Sequence, residues 1–226
     1  EEFAFHKIYH RVNHFCVVEL SAFYFDVLKD RLYTSAPNSA ARRAAQTTIW
    51  QIGEALVRVL APITSFTSDE VWQLLPPVEG RKPSVHLELF PAEETIFGTK
   101  PPAEDPMQRE AWTALRSLRD EVLKALEEAR NSKLIGGGLE AEVIVTAPEP
   151  LFSLLTKYAD QLRYLFIVSA VALQTGDAVS VRVGKAPGQK CERCWNYSTR
   201  VGEDPEYPTV CERCSAVLKE ISGTAR

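Results

Sequence analysis

Apolar side chains recur at every third or fourth position in the first part of the chain, which is the spacing of one helical face. Two such runs predict two helices, one within residues 3–33 and a second that starts near Ser39. The first run consists of Phe5, Ile8, Val12 and Phe15, and the second of Ala45, Ile49, Ile52, Leu56, Val59 and Ile63.

A third, short helix is indicated by the spacing of a capping box and by a proline pair. Thr67 stands three residues before Glu70, which predicts the start of the helix, and Pro76-Pro77 predict its end. Three neighbouring helices predict a helix bundle. Residues 76–106 are rich in Pro and Gly, so we expect a long connector on the bundle surface.

The pattern changes after this connector. Asp105-Pro106 is expected to open a long helix that ends before the glycine run 136–138, and this run is interpreted as a turn because it lacks the Gly-Lys-Ser/Thr of a phosphate loop. The apolar face of this helix consists of Trp112, Leu115, Val122, Leu126 and Ala129. The stretches "AEVIVTA", "YLFIVSAVAL" and "VSVRV", with a helical stretch over 152–162, predict a small α+β unit.

The predicted fold is therefore mainly α and has three parts. We expect a helix bundle with its connector over residues 1–104, and a long helix with a small α+β unit over 105–185. A four-cysteine zinc-binding tail is expected over 186–226.

Composition narrows the function classes. A formal net charge of -4 disfavours a protein that holds DNA by bulk charge, and no apolar run approaches the roughly 20 residues of a membrane span. The chain begins without Met and without a secretory signal, so we expect a fragment of a longer, cytoplasmic chain. The odd count of 5 cysteines is typical of a reducing compartment, where paired C-x2-C words bind metal more often than they form disulfides.

The motif Cys-Glu-Arg-Cys occurs twice and is the clearest chemical signal in the sequence. Cys191, Cys194, Cys211 and Cys214 follow the C-x2-C-x16-C-x2-C spacing of zinc sites with four cysteine ligands. Four thiolates complete a tetrahedron and leave no open position, so the spacing predicts one structural zinc ion. Two redox dithiols and an iron site remain as alternatives.

Cations and aromatic rings surround these cysteines, a mixture typical of proteins that read single-stranded nucleic acid. The candidates are Lys190, Arg193, Trp195, Tyr197, Arg200 and Arg213. A base could stack on Trp195; the competing hypothesis makes Trp195 and Tyr197 the core of a small metal domain, with the arginines neutralising thiolates. Residues 182–226 carry 8 Lys or Arg and 6 Asp or Glu, and a zinc tetrathiolate adds about -2, so phosphate attraction alone would not hold RNA.

Several segments resemble a known family. "FYFDVLKDRLY", "RRAAQTTIW" and "LAPITSFTSDEVW" resemble the anticodon-binding helical domain of class I aminoacyl-tRNA synthetases of the isoleucine, valine and leucine group. "LRDEVLKALEEARNSKLIGGGLEAEV" and the closing "KCERCW" and "VCERC" resemble the C-terminal region of the bacterial isoleucyl-tRNA synthetase family. The resemblance covers nearly the whole chain.

This resemblance implies an isoleucine-tRNA ligase, which charges tRNA(Ile) with isoleucine using ATP, and it implies that this chain grips the anticodon arm. The family's signatures His-Ile-Gly-His and Lys-Met-Ser-Lys-Ser do not occur in the sequence, so ATP binding, catalysis and editing are expected outside it. We expect a non-catalytic monomeric part whose other partner is the rest of the synthetase chain. At the matching bundle segments the candidate phosphate contacts are Lys29, Arg31, Arg42 and Arg43, each of which could also be a solvated helix charge.

Other polar features have simpler interpretations. His6, His10 and His14 share a helical face that we expect to meet RNA or solvent rather than a metal. Cys16 is interpreted as a core thiol, and Asp30 is expected to pair locally or to cap a turn. Two further function classes stay open: a DNA-repair glycosylase of the formamidopyrimidine type, which ends in a similar finger, and a non-enzymatic zinc interaction module.

Overall fold

The computed structural model describes residues 4–92, 96 and 106–224. The chain forms two compact units: the first holds the residues before Tyr24 and those from Asn38 to Asp105, and the second holds Tyr24–Pro37 and the residues from Pro106 onward.

This division differs from the three parts that the sequence predicts. Residues 24–37 group with the second unit instead of the bundle, and the α+β part and the cysteine tail belong to one unit with them. The tail is also bonded to this segment, because Arg193 and Arg213 donate to Thr34 and Asp30, as described below. The predicted boundary between residues 104 and 105, and Asp105 itself, lie outside the described residues.

The first unit contains the helices that the apolar spacing predicts. In chain order the helical elements before the long connector are α1 (Phe5–His14), a π-helical segment (Phe15–Phe25), α2 (Asp26–Thr34), α3 (Ala40–Leu60), α4 (Ser65–Leu74) and a 3-10 turn (Val85–Leu87). Helix α2 and the last two residues of the π-helical segment belong to the second unit. The mainly helical fold class is confirmed.

The starts of α3 and α4 show how well local signals work. Helix α3 starts next to Ser39 as expected, and the Ser39 side chain caps it by accepting a hydrogen bond from the Arg42 N–H. The start predicted at Thr67 is wrong, because α4 already begins at Ser65 with Thr64 as its N-cap. The hydroxyls of Thr64 and Ser68 lie 2.9 Å apart, so the first turn is held by this pair rather than by a Thr67–Glu70 box.

The core of the first unit centres on Trp72, whose side chain is 2% exposed. It packs with Val57, Ala61 and Val85, and its indole N–H donates to the Lys82 carbonyl at 2.9 Å. The connector after α4 is therefore fastened over the helices by the one polar atom of a buried ring. The apolar side of α1 and of the start of the π-helical segment is more open: Phe5, Ile8 and Phe15 are 50%, 40% and 38% exposed, and Cys16, expected in the core, is half-buried.

The second unit combines helices, a three-stranded sheet and a small hairpin. Its further elements are α5 (Pro106–Asn131), a 3-10 turn (Gly138–Glu140), β1 (Ala141–Ala147), α6 (Leu151–Lys157), α7 (Ala159–Phe166), β2 (Ala170–Thr175), β3 (Ser180–Lys185), β4 (Gln189–Lys190), β5 (Tyr197–Ser198) and α8 (Glu212–Thr224). The predicted small α+β part is present. The apolar stretch after residue 163 is divided: its first residues end α7, and Ile167 in the left-handed conformation turns the chain into β2.

The strand β1 occupies the centre of the sheet, whose order is β2-β1-β3. It pairs in parallel with β2 and antiparallel with β3, so that Val143 faces both Val171 and Val183. Alternate residues of β1 are fully buried, as the period of a strand requires. Helices α6 and α7 form the crossover between the two parallel strands, as parallel pairing demands.

Helix α5 supplies one wall of this core. Leu115, Leu118, Val122 and Leu126 are at most 4% exposed, whereas Trp112 is 45% exposed although it shares the predicted apolar face. Truncation of Leu126 to Ala would cost about 2–5 kcal/mol, the usual range for a buried leucine. Among the described residues, no helix combines the length and apolar character that crossing a membrane requires.

Candidate metal centre and nucleic-acid interface

Four cysteine thiols meet between a short hairpin and the start of a helix. Cys191 and Cys194 lie in the turn that joins β4 to β5, and Cys211 and Cys214 lie at the start of α8. Their sulfur atoms are within 4.8 Å of one another, and the side chains are at most 8% exposed. The part of the chain from residue 186 to 224 is called the zinc module below.

Backbone hydrogen bonds shape both cysteine turns around the sulfur atoms. The Trp195 N–H donates to the Cys191 carbonyl at 2.9 Å and closes the first turn, and the Ser215 N–H donates to the Cys211 carbonyl at 2.9 Å and closes the second. The two turns are joined because the Cys211 N–H donates to Sγ of Cys191 at 3.3 Å.

The short distances between sulfur atoms separate the pKa values of the thiols. Hydrogen bonds from Cys211 and Cys214 lower the pKa of Cys194, while their bonds to Cys194 raise the pKa of Cys211 and Cys214. A divalent cation is what allows four neighbouring thiolates to coexist. Four sulfur donors with no oxygen or nitrogen donor fit a tetrahedral zinc site, and they leave no open position for catalysis.

A small apolar core supports this cluster. Val210 packs with the four cysteines, and Val201, Tyr207 and Leu218 pack against them. The aromatic ring in the core is therefore that of Tyr207. Trp195 is 61% exposed, so the hypothesis that it forms the core of the metal domain is wrong.

Trp195 stands out for its backbone as well as its exposure. Its φ angle is 64°, in the left-handed region that bulky residues avoid. The Nζ atom of Lys190 lies 5.3 Å from the centroid of the Trp195 ring, within the range of a cation–π contact. A cation and an open aromatic face are thus presented together at the surface of the zinc module.

The arginines of the two Cys-Glu-Arg-Cys motifs contact other parts of the protein. The guanidinium of Arg193 donates to the Thr34 carbonyl at 2.6 Å and lies 3.6 Å from Sγ of Cys214. Arg213 forms a two-pronged ion pair with Asp30, with 2.7 Å between Nη2 and Oδ2. Burial alone would lower the pKa of Arg213, but the Asp30 carboxylate outweighs it and raises this pKa above its usual value.

The other sequence candidates are distributed over both units. In the second unit, Tyr197 is half-buried, Arg200 pairs with Glu203, and Lys29 pairs with Asp26. Arg31, also there, donates to Gln161 and lies with Cζ 5.6 Å from the centroid of the Tyr164 ring. Arg42 and Arg43 belong to the first unit, and Arg43 donates to Gln46 at 3.5 Å.

A cavity of about 450 Å³ opens beside Trp195, within the second unit. One wall is α2, with Tyr33 and Asp30, and another is the zinc module, with Trp195 and Asn196. The end of α7 forms a third wall, where Arg163 lies with Cζ 4.4 Å from the centroid of the Tyr164 ring. The further lining residues are Asp26, Val27, Lys29, Thr34, Leu139, Ile167, Val168, Arg193 and Cys194.

Sequence reasoning missed the partners that hold the zinc module. Asp30 was expected to pair locally; it does accept a bond from the Thr34 hydroxyl, but its principal partner is Arg213, 183 residues away. Asn196, which is buried, also donates to Asp30 at 3.3 Å. The arginine inside both cysteine words was the available signal, since an arginine beside buried thiols requires an acceptor of its own. His6, His10 and His14 join no close cluster of ligand atoms in the residues that the structure describes.

Comparisons with known proteins agree with this arrangement. The family described as the anticodon-binding domain of tRNA ligase matches residues 1–145, and the zinc finger found in FPG and IleRS matches residues 188–217. Three curated relatives are isoleucine–tRNA ligases, from Syntrophotalea carbinolica (47% identical over 97% of this chain), Dichelobacter nodosus (46% over 93%) and Geobacter sulfurreducens (42% over 96%).

The chain spans about a quarter of the length of these relatives, namely 24%, 22% and 24%. The resemblance to the synthetase group is confirmed. The match over residues 1–145 is to tRNA ligases, which removes the support for a DNA-repair glycosylase. The chain therefore belongs to the anticodon-binding domain family of tRNA ligases.

Proposed function

We propose that this chain is the tRNA-recognising part of an isoleucine–tRNA ligase, the activity that its curated relatives are named for. It grips the anticodon arm of tRNA(Ile) in the cytoplasm, where its thiols stay reduced. Use of ATP, attachment of isoleucine and editing belong to domains outside these 226 residues, and no residue here is assigned a catalytic role.

One zinc ion, bound by the four cysteines, is part of this proposal. It would hold the two cysteine turns together in a closed tetrahedron, so its role is structural. The residues of the module then act on RNA only through what they present at the surface.

The observation that carries the proposal is the conformation of Trp195. A left-handed backbone costs a residue of this type about 1–2 kcal/mol, and a side chain that is 61% exposed recovers little of this by burial. Strain of this kind at an exposed ring indicates a function at the surface. Stacking of an unpaired base on such a ring contributes roughly 1–3 kcal/mol.

The surroundings of Trp195 favour a nucleotide over an apolar peptide. Lys190 above the ring could meet the phosphate of the stacked nucleotide, and the adjacent cavity adds the exposed Tyr33 ring and the Arg163 guanidinium. Aromatic faces interleaved with cations are the usual means of holding single-stranded RNA.

The remaining proposed contacts with tRNA are weaker than the stacking on Trp195. They are made by Tyr197, Arg200, Lys29, Arg31, Arg42 and Arg43. Surface ion pairs such as Lys29–Asp26 are worth only about 0–1 kcal/mol, so phosphate could replace the carboxylate. Arg193 and Arg213 are not proposed as base contacts, because their guanidinium groups already bind the Thr34 carbonyl and the Asp30 carboxylate.

A binding titration tests this function. The zinc-loaded chain would be titrated with a tRNA(Ile) transcript and with a copy carrying a changed anticodon, at low and moderate salt. We expect discrimination between the two RNAs and a loss of roughly 5- to 150-fold in Trp195→Ala. Trp112→Ala is the control, because Trp112 is an exposed ring on α5 and should leave binding unchanged. Equal binding of both RNAs by parent and Trp195→Ala would contradict the proposal.

A further inference from the structure

Three side chains of the zinc module converge on the last turn of α2. Arg193 binds the Thr34 carbonyl, and Arg213 and Asn196 both bind the Asp30 carboxylate. The C-terminal turn of a helix carries partial negative charge, so cations are favoured there and a carboxylate is not. Asp30 therefore does not stabilise its own helix, and its position is explained by the cations that the zinc module brings to it.

The Asp30 carboxylate is nearly saturated with donors from the zinc module and its own helix. Both oxygens are used by the Arg213 guanidinium, a planar two-pronged contact that fixes direction as well as distance. Oδ2 also accepts from Asn196 at 3.3 Å, and the Thr34 hydroxyl, which donates to the Asp30 carbonyl at 2.8 Å, lies 3.2 Å from Oδ1. With the Asp30 and Arg213 side chains only 19% and 26% exposed, water cannot easily replace these bonds.

Asn196 links Asp30 to the neighbouring residue Trp195. It follows Trp195 in the chain, it is 8% exposed, and its side-chain amide donates both to Asp30 and to the Cys194 carbonyl at 3.1 Å. The left-handed Trp195 is therefore fixed on one side by a cysteine of the cluster and on the other by a residue bound to α2. A ring that is 61% exposed has few other contacts to define its direction.

We propose that Asp30 is a positioning residue for RNA recognition. By holding Arg213 and Asn196 it fixes the zinc module on α2, and so it sets the direction of the Trp195 ring and the width of the cavity between Trp195 and Tyr33. The role rests on the proposed function in RNA binding, but the orientation of Trp195 can be measured without RNA.

The first measurement follows the tryptophan rings in the free, zinc-loaded chain. The chain has 4 tryptophans, so labelling with 5-fluorotryptophan gives four 19F resonances, and Trp195→Phe identifies the one that belongs to Trp195. Asp30→Asn keeps the size of the side chain and removes its charge. The matched control is Asp177→Asn, which removes the same charge from an exposed turn of the same unit.

We expect Asp30→Asn to shift or broaden the Trp195 resonance, to leave the other three in place and to retain zinc. Arg213→Lys, which keeps the charge but loses the two-pronged geometry, should give the same change to a smaller extent. It also serves as the second variant if Asp30→Asn folds poorly. Resonances identical to those of Asp177→Asn would overturn the proposal, and so would movement of all four resonances or loss of zinc, since either would indicate a merely structural residue.

The second measurement is a double-mutant cycle in RNA affinity. We expect Asp30→Asn alone to weaken binding of the tRNA(Ile) transcript about tenfold and to have no further effect in the Trp195→Ala background. Full additivity would overturn the positioning role, because Asp30 would then act independently of the ring. If the parent chain binds no RNA, the proposed function fails, whereas the Trp195 resonance still decides whether Asp30 orients the ring.

Discussion

The guanidinium of Arg193 joins the metal cluster to a helix end, because it donates to the Thr34 carbonyl at 2.6 Å and lies 3.6 Å from Sγ of Cys214. Thr34 is the last residue of α2, where helical carbonyls lack intrahelical partners. The second Cys-Glu-Arg-Cys motif makes an equivalent contact with α2, because Arg213 donates to the Asp30 carboxylate. The basic residue between each pair of cysteines thus fastens the zinc module to α2.

Loss of the Arg193 contact should weaken the second unit. Arg193→Ala leaves the Thr34 carbonyl without its cation, and a cost of about 1–2 kcal/mol is expected for a partly buried charge at a helix end. Denaturant unfolding of the zinc-loaded chain measures this change. Arg200→Ala is the matched control, since Arg200 forms an exposed surface pair with Glu203, and it should change stability by less than about 0.5 kcal/mol. Equal stability of the two variants would show that the contact contributes nothing.

Metal removal should unfold the zinc module while the first unit keeps its core. Cys191→Ser removes one of four ligands, so we expect loss of zinc and of module structure, because the binding free energy of a structural zinc, on the order of 10 kcal/mol, is folding free energy. Elemental analysis together with amide exchange of residues 188–217 measures this. A chelator acting on the parent chain should give the same result. The Trp72 core should remain protected in both cases, and its loss would contradict this separation.

Substitution of Trp195 should separate binding from folding. Trp195→Ala is expected to change the free energy of unfolding by less than about 0.5 kcal/mol, since the ring is 61% exposed. Trp195→Gly should stabilise the module by about 1 kcal/mol, because glycine adopts a φ of 64° without steric cost. Both changes should weaken RNA binding. Tyr207→Ala, which removes the ring that packs against the cysteine cluster, should instead destabilise the module. Thermal unfolding of the three zinc-loaded variants distinguishes these results.

Local sequence signals predicted what depends on neighbouring residues. The start of α3 near Ser39, the β1 stretch and the four-cysteine cluster are each indicated within short segments, so local patterns were sufficient. Helix α4 starts at Ser65 instead of Thr67, and the contact between the Thr64 and Ser68 hydroxyls in its first turn is not part of the capping-box spacing.

Contacts between residues far apart in the chain could not be predicted from the sequence. Asp30 and Arg213 are 183 residues apart, and no periodicity relates a helical carboxylate to an arginine in a cysteine turn. The exposure of Trp195 likewise depends on a three-dimensional fact, namely that Tyr207 already fills the core beneath the cysteines. Composition could therefore identify the zinc module as a nucleic-acid candidate, but not which of its cations face outward.

A close backbone approach at Gly188 gives a further test of the hairpin. A Cβ atom there would lie 2.2 Å from the Ser198 carbonyl group, and the φ of +89° also disfavours other residues. Gly188→Ala should therefore destabilise the zinc module by at least about 2 kcal/mol. Gly184→Ala in β3 is the control, because its Cβ would meet no atom within 4 Å. Zinc-dependent thermal unfolding measures both, and similar midpoints would contradict the close approach.

The first unit should lose stability at acid pH through Asp69. Its carboxylate accepts a bond from the Ser84 hydroxyl at 2.6 Å and from the Val85 N–H at 3.1 Å, and these two bonds hold the pKa of Asp69 below its usual value. A carboxyl whose folded pKa is lowered stabilises the folded state fully above its unfolded pKa of about 3.9, and this contribution disappears as the pH falls through the lower folded pKa. Asp69→Asn cannot titrate, so the difference in stability between parent and variant should be constant above about pH 5 and shrink below about pH 4.

Trp72 provides the readout for this acid effect, because its indole N–H is bonded to the Lys82 carbonyl in the same connector that Asp69 fastens. Denaturant unfolding followed by the 19F resonance of Trp72 would be measured from pH 3 to pH 7. Glu70→Gln, at the exposed neighbouring position on α4, should keep the pH dependence of the parent because Asp69 is retained. A parent–Asp69→Asn difference that does not change with pH would show that the two bonds do not favour the charged form. In that case the connector would be held by the Trp72 and Gln73 side chains, which bind the Lys82 and Pro83 carbonyls.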